Sequence, residues 1–223
     1  RLCLLGNVLR FGVRMKEPQI RLINDTTIAL VRRCPERLTG FCFLNPALDP
    51  GFLREEVDRC VEGGLRGIKL EIDLNARDRR MRTTMDKAAE YNIPVLHHAW
   101  YLTVGEQPYA SEPIDIADLA RRFPEVRIIM AHLTGGGIRG VLDIEDCPNV
   151  WVDTSGAQPV AGMVEYAVGK LGAERIVFGS DECGRDFSCQ LGRILGARIS
   201  SRDRALILGR NAARLLGIEE AGR

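Results

Sequence analysis

A parallel α/β fold of the (β/α)8 barrel type, short of one strand, is what this 223-residue sequence predicts, and three observations predict it. Short apolar or β-branched runs alternate with amphipathic stretches along the whole chain, the pattern of a parallel sheet covered by helices. Seven such runs are evenly spaced, and many end in polar residues at their C-terminal ends, where a barrel collects its functional groups. No glycine-rich fingerprint follows the first run, as a doubly wound dinucleotide-binding sheet would require. With no low-complexity linker and no break in composition, residues 1–223 read as a single barrel domain.

The strands are expected at Leu2–Leu5, Leu38–Leu44, Gly67–Ile72, Pro94–His98, Arg127–His132, Asn149–Thr154 and Arg175–Asp181. Helical periodicity marks Gln19–Arg33, Pro50–Glu62, Thr83–Tyr91, Pro113–Phe123, Ile138–Ile144, Ala161–Leu171, Arg185–Ile194 and Ser201–Leu216. Asp49-Pro50 supplies a cap and a first-turn proline, and Gly63-Gly64 stops the same helix. Ser200 with Asp203 forms a capping-box-like start for the last helix. The strand short of eight is taken to be the first. The chain opens Arg1-Leu2-Cys3, apolar from its second residue and without Met, which reads as the middle of something longer.

A net charge of +1 gives no electrostatic footprint for nucleic acid or an anionic membrane, so neither is expected as a partner. No apolar run reaches the ~20 residues needed to span a bilayer. The seven cysteines are scattered without a C-x-x-C pair, so reduced thiols in a cytoplasmic enzyme are expected. Cys183 adjoins an acidic strand end, but a buried, inert thiol is the expectation for it.

Gly67–Asp73 alternates, placing Ile68, Leu70 and Ile72 toward helices and Lys69, Glu71 and Asp73 toward the lumen. Lys69 stands out because the 31 basic residues comprise only four lysines against 27 arginines. Inside an apolar strand it needs a partner or a function, and a lumen-filling ion pair with Glu71 or Asp73 competes evenly with a site role. In NIPVLHHAW, His97 and His98 are adjacent and point to opposite faces, so one cannot substitute for the other. His132 closes the next strand, as a metal ligand, an acid/base or a hydrogen-bonded strand-end residue, ahead of Gly135-Gly136-Gly137, a run read as a turn needing positive φ rather than as a phosphate cradle. Asp181 closes the last strand, as a metal ligand and proton acceptor or as a helix cap. Asp153 is a weaker carboxylate of the same type. Arg185 and Asp186 follow as substrate contacts or a solvated loop.

At these residues the sequence resembles the amidohydrolase superfamily, most of all the branch that holds aminocarboxymuconate-semialdehyde decarboxylase and its hydrolase relatives. The matching stretches are GLRGIKLE, AAEYNIPVLHHAW, RIIMAHLTGG, NVWVDTSG, RIVFGSDE and GRNAARLLGI, in family order from Gly64 to Ile218. The resemblance implies a distorted barrel with one divalent ion at its mouth, zinc by preference, with manganese or another divalent ion allowed. It implies His98 and Asp181 as metal ligands, Asp181 also as proton shuttle, and His132 as the residue that polarises substrate. Lys69 lies near the position of the carboxylated lysine that bridges two metals in some members, and its role stays open. The superfamily's first-strand H-x-H pair is absent, since the only adjacent histidines are His97-His98. That pair is expected on the strand upstream of Arg1.

The expected function is metal-dependent hydrolysis of a small carbonyl or carboxylate substrate, with non-oxidative decarboxylation as the alternative. Glu71 and Arg185 are further candidates for substrate contact. A barrel without its metal site, serving as a scaffold, and a Schiff-base lyase built on Lys69 are the rivals. A homodimer is expected from the resemblance alone.

Overall fold

The computed structural model describes residues 1–6, 10–101 and 107–218. In chain order the first half runs β1 (Leu2–Leu4), α1 (Glu17–Arg33), β2 (Leu38–Gly40), β3 (Cys42–Leu44), α2 (Pro50–Glu62), β4 (Ile68–Leu70), α3 (Met81–Glu90) and β5 (Val95–His97). It continues α4 (Pro113–Arg122), β6 (Ile128–Met130), α5 (Leu133–Asp143), β7 (Val150–Asp153), α6 (Met163–Leu171), β8 (Ile176–Val177) and α7 (Phe187–Leu195). Every strand pairing is parallel, β1 with β2 and then β3 through β8 in sequence order. The alternation read from the sequence is the one observed, and the fold class stands.

The run Leu38–Leu44 changes neighbours halfway. Its first half, β2, pairs with β1, and its second half, β3, pairs with β4. At the break the Phe41 N–H still donates to Leu4 O at 2.9 Å, and the Cys42 N–H donates to Gly67 O at 2.8 Å. One extended segment therefore joins the two ladders, and the seven expected strand runs lie side by side.

Side-chain parity sorts the strands into two apolar layers. Ile68, Leu70, Val95, Ile128, Met130, Val150, Val152 and Ile176 are buried in the cluster shared with the helices. Phe41, Leu96, Ile129 and Val177 form a second cluster with Leu215 and Leu216 from the C-terminal end of the chain. The second is the lumen, since Leu96, Ile129 and Trp151 are successive register partners that pack there, on the face away from the helix-shared cluster.

Several boundaries differ from the reading of the sequence, each for a local reason. The strand at Gly67–Ile72 stops at Leu70, so Ile72 is only partly buried and does not extend the helix-facing row. Helix α5 starts at Leu133, not Ile138, because His132 turns the chain at φ 75°. Gly135 and Gly136 are therefore helical, and only Gly137 takes the positive φ expected of the run, at 60°. Helix α1 begins at Glu17, where the Gln19 side chain accepts the Lys16 N–H at 2.8 Å. The stretch Ser201–Leu216 divides into α8 (Ser201–Ala205), a π-helical turn at Leu206–Arg210 and α9 (Asn211–Leu215). Asp49 caps α2 as expected, accepting from the Gly51 and Phe52 N–H groups.

All seven cysteines are free. Cys183 is exposed rather than buried, because residues 181–189 form an exposed segment after β8. Among the described residues no helix is long and apolar enough to cross a membrane.

Candidate active site

Lys69 sits in the lumen row beside Leu96 and is nearly inaccessible, at 4% exposure. An ammonium in such surroundings needs acceptors. Its Nζ has the Glu71 carboxylate at 2.7 Å and donates to the Leu70 carbonyl at 2.9 Å. The ion pair considered for this strand is present, with Glu71 as the partner. Asp73 instead accepts the backbone N–H of Arg14. Its other oxygen is buried without a partner, and desolvation pushes the carboxyl up to about 6.

The second oxygen of Glu71 continues the line, with His98 Nδ1 at 3.3 Å. Burial raises the Glu71 carboxyl, but Lys69 and then His98 outweigh it and hold the group below its usual range. His98 Nδ1 also lies 3.2 Å from His132 Nε2, with the rings nearly perpendicular and their centroids 4.7 Å apart. His132 Nδ1 is 2.9 Å from Ser155 Oγ, which donates to Asp153 Oδ1 at 2.5 Å. A continuous line thus runs Lys69–Glu71–His98–His132–Ser155–Asp153 across β4 to β7. Strand parity predicts part of it, because Glu71, His98 and Asp153 lie two positions beyond Lys69, Leu96 and Trp151 of one lumen row, whereas His132, three beyond Ile129, is brought in by its left-handed backbone.

Burial keeps both histidines neutral. Desolvation and the Lys69 charge bring His98 down to about 3, and desolvation also lowers His132 against the pull of Asp153. His97 is a different object. It is buried on the helix side, its Nδ1 lies 2.7 Å from the His98 carbonyl, and desolvation lowers it to about 4. The adjacent pair divides as read from the sequence.

Asp153 does more than was expected of a weak ligand candidate. Its Oδ1 also accepts the His132 and Ser155 N–H groups, at 3.0 and 2.8 Å. The first bond holds the left-handed backbone of His132, a conformation that costs a non-glycine residue about 1–3 kcal/mol. Gly156, at φ 104°, lets that backbone close in, for a Cβ there would lie 2.9 Å from His132 Cβ. The Trp100 ring packs on His132 at 5.5 Å, and a Cβ at Gly135 would stand 2.5 Å from it. From α7, the Arg193 guanidinium donates to the carbonyls of Thr154, Ser155 and Ala157 and pins the loop that carries Ser155.

Ser155 and Arg193 escaped the sequence reading. Ser155 has one legible signal, its place two residues after Asp153, although β7 ends at Asp153. Arg193 has none, being one of 27 arginines on an amphipathic helix.

Asp181 and Arg185 lie in the exposed segment after β8. Desolvation and the Asp153 charge raise the Asp181 carboxyl, against His132 and Arg185, so its charge is felt at His132. Arg185 Nε is 3.9 Å from Asp181 and donates to the Gly156 carbonyl at 3.0 Å. Asp186 caps α7 by accepting the Cys189 N–H.

The donor chemistry suits a divalent ion in part. His98 has a carboxylate on its Nδ1, as metal-binding histidines commonly do, and Asp181 offers oxygen. Among the described residues, however, no three His, Cys, Asp or Glu side chains are grouped to hold a metal. These residues alone do not complete a centre of three protein ligands.

Comparisons with known proteins bear on the fold and the family. The solved structure of 5-carboxyvanillate decarboxylase LigW from Sphingomonas paucimobilis superposes with a TM-score of 0.77 at 18% identity, covering 98% of this chain and 78% of that one. The 2,6-dihydroxybenzoate decarboxylase from Rhizobium gives 0.73 at 19% identity, over 90% of this chain and 77% of its own. A dihydroxybenzoic acid decarboxylase from Polaromonas sp. JS666, with bound manganese and the inhibitor 2-nitroresorcinol, gives 0.71 at 19% identity, over 94% and 79%. At such identities these likenesses speak for the fold. A comparison with curated protein sequences found no match. The Amidohydro_2 family, described as amidohydrolase, matches residues 6–218, and the divalent metal expected at the mouth accords with that family. The chain belongs to the amidohydrolase family.

Proposed function

We propose that this chain is an amidohydrolase-family enzyme that carries out acid–base chemistry on a small carboxylate- or carbonyl-bearing molecule at the mouth formed by His98, His132 and Asp181. One observation carries the reading. Two neutral histidines, His132 buried and His98 partly buried, stand in contact at the C-terminal ends of β5 and β6, wired to carboxylates at both ends. Neutral imidazoles are the proton acceptors such chemistry uses at ordinary pH.

Decarboxylation of an aromatic carboxylate is favoured over hydrolysis, reversing the order drawn from the sequence, because the three solved structures above are named as decarboxylases. Asp181 would pass a proton to the ring carbon. The carbon–carboxylate bond then breaks and CO2 leaves. In hydrolysis the same carboxyl would take a proton from water and return it to the leaving group. The exposed Arg185 guanidinium would meet the substrate's anionic group.

The ion read here is manganese or zinc. Manganese is bound in the Polaromonas structure, and a histidine with an aspartate suits either ion. When bound, it would supply Lewis-acid polarisation of substrate oxygens.

A panel of hydroxybenzoates and of amide and lactone substrates, incubated with manganese- or zinc-loaded protein, tests the reading. CO2 release from a hydroxybenzoate is expected. Hydrolysis products without CO2 would move the assignment to the second reading. Turnover of neither class would reject both.

A further inference from the structure

Resting on the reading of His132 as the proton acceptor, we infer that Ser155 and Asp153 are positioning residues that lock His132 in one tautomer, with its proton on Nδ1 and Nε2 bare toward the mouth. The argument is an accounting of protons. Asp153 Oδ1 already accepts two backbone N–H groups, from His132 and Ser155, and a proton on that oxygen would oppose both. The Ser155 hydroxyl, 2.5 Å away, therefore donates its only proton to Asp153. Toward His132 Nδ1, at 2.9 Å, it can offer only a lone pair, so Nδ1 must carry the hydrogen.

The constraint passes to the next ring. With His132 neutral, its Nε2 is an acceptor, and His98 Nδ1 at 3.2 Å must be the donor. Glu71, at 3.3 Å from the same nitrogen, is an acceptor too and supports the same assignment. His98 is then bare at Nε2, the state a metal-binding imidazole requires. The opposite tautomer of His132 would turn the serine hydroxyl away from Asp153. A hydroxyl lone pair would then face a carboxylate across 2.5 Å in a site where Ser155 and Asp153 are 3% and 5% exposed.

The consequence reaches function. A bare Nε2 cannot donate to an oxyanion, so His132 first takes a proton from a substrate or water O–H. The resulting imidazolium donates, and Asp153 offsets its charge through Ser155. The hydrogen bond from His98 is displaced in this step, and Glu71 still accepts the His98 Nδ1 proton.

The chain has only three histidines, so nitrogen-15 NMR of histidine-labelled protein, freed of paramagnetic ions, reads the tautomers directly. His97→Gln and His98→Gln assign the signals. The wild-type spectrum should show His132 protonated at Nδ1 and bare at Nε2. Ser155→Ala should shift it toward the Nε2-protonated form, and Ser155→Thr should restore the wild-type pattern. With a substrate that turns over, Ser155→Ala should lower kcat roughly 10- to 100-fold at little change in KM. A wild-type His132 protonated at Nε2, or one unmoved in a folded Ser155→Ala protein, overturns the inference. If Ser155→Ala does not fold, the wild-type and Ser155→Thr spectra decide alone. Because the spectra need no substrate, failure to find one would count against the proposed function and leave this result standing.

Discussion

On one side of the barrel mouth, His98, His132 and Ser155 stand in an unbroken hydrogen-bonded line between Glu71 and Asp153. On the other side, Asp181 and Arg185 face each other at 3.9 Å in a segment exposed from residue 181 to 189. The first region is buried at His132, Ser155 and Asp153 and partly buried at Glu71 and His98, so most of its polar atoms are answered by protein atoms, and its geometry is set before substrate arrives. The second meets water at rest and can rearrange around a ligand at small cost. Under the proposed function, reaction geometry would reside in the first region and substrate contact in the second, an arrangement common to enzymes whose variable loops surround a fixed strand-end site.

Substitutions can break that contrast, and the largest effect on stability is expected at Arg193. Arg193→Met removes the donor shared by the carbonyls of Thr154, Ser155 and Ala157. Each buried acceptor left unpaired costs about 1–3 kcal/mol, so a loss near 3 kcal/mol is expected by denaturant titration. A loss under about 1 kcal/mol would mean that water serves those carbonyls and the region is not closed.

Asp73 gives a smaller effect with a pH signature. Its folded carboxyl titrates at about 6 against an ordinary value of 3.8. Below 3.8 both states hold the proton. As pH rises toward 6 the unfolded chain ionises first, and the native state loses stability over that window. Asp73→Asn can still accept the Arg14 N–H and removes the titration. Its stability relative to the wild type should therefore rise by about 2 kcal/mol between pH 4 and 7. A difference that is flat with pH would show that this carboxyl is open to solvent.

The smallest stability change is expected across the mouth. Arg185→Ala removes one hydrogen bond to Gly156 and a loose, exposed ion pair, and should move stability by no more than about 0.5 kcal/mol. KM should rise while kcat holds. A fall in kcat at constant KM would place Arg185 with the fixed machinery instead.

Much of the fixed region was legible in the sequence because strand periodicity is a geometric rule. It separated His98 from His97 and set Lys69 against Glu71, and the end of an apolar run marked His132; Asp181 was read as closing the last strand, which instead stops at Val177. What it could not show is where a carboxylate turns after the strand stops. Asp153 read as a ligand candidate because it stands near the end of its strand, yet its oxygen faces back to the His132 backbone and Ser155. Asp73 shared the lumen-side parity of Lys69 but lies beyond the end of β4, where alternation no longer governs direction. Cys183 read as buried from its apolar character, whereas burial there depends on the path of a loop. Arg193 acts across a tertiary contact between α7 and the β7 loop, and a pattern within one helix carries no trace of that.

The central claim is that His132 is an acid–base group of this preset site. Its direct test is the turnover of the best hydroxybenzoate by the wild type and by His132→Asn, with folding monitored by thermal unfolding. The account predicts a native-like transition and a kcat reduced at least roughly 100-fold, the usual scale for a lost acid–base group. A His132→Asn protein that releases CO2 at the wild-type rate would contradict it.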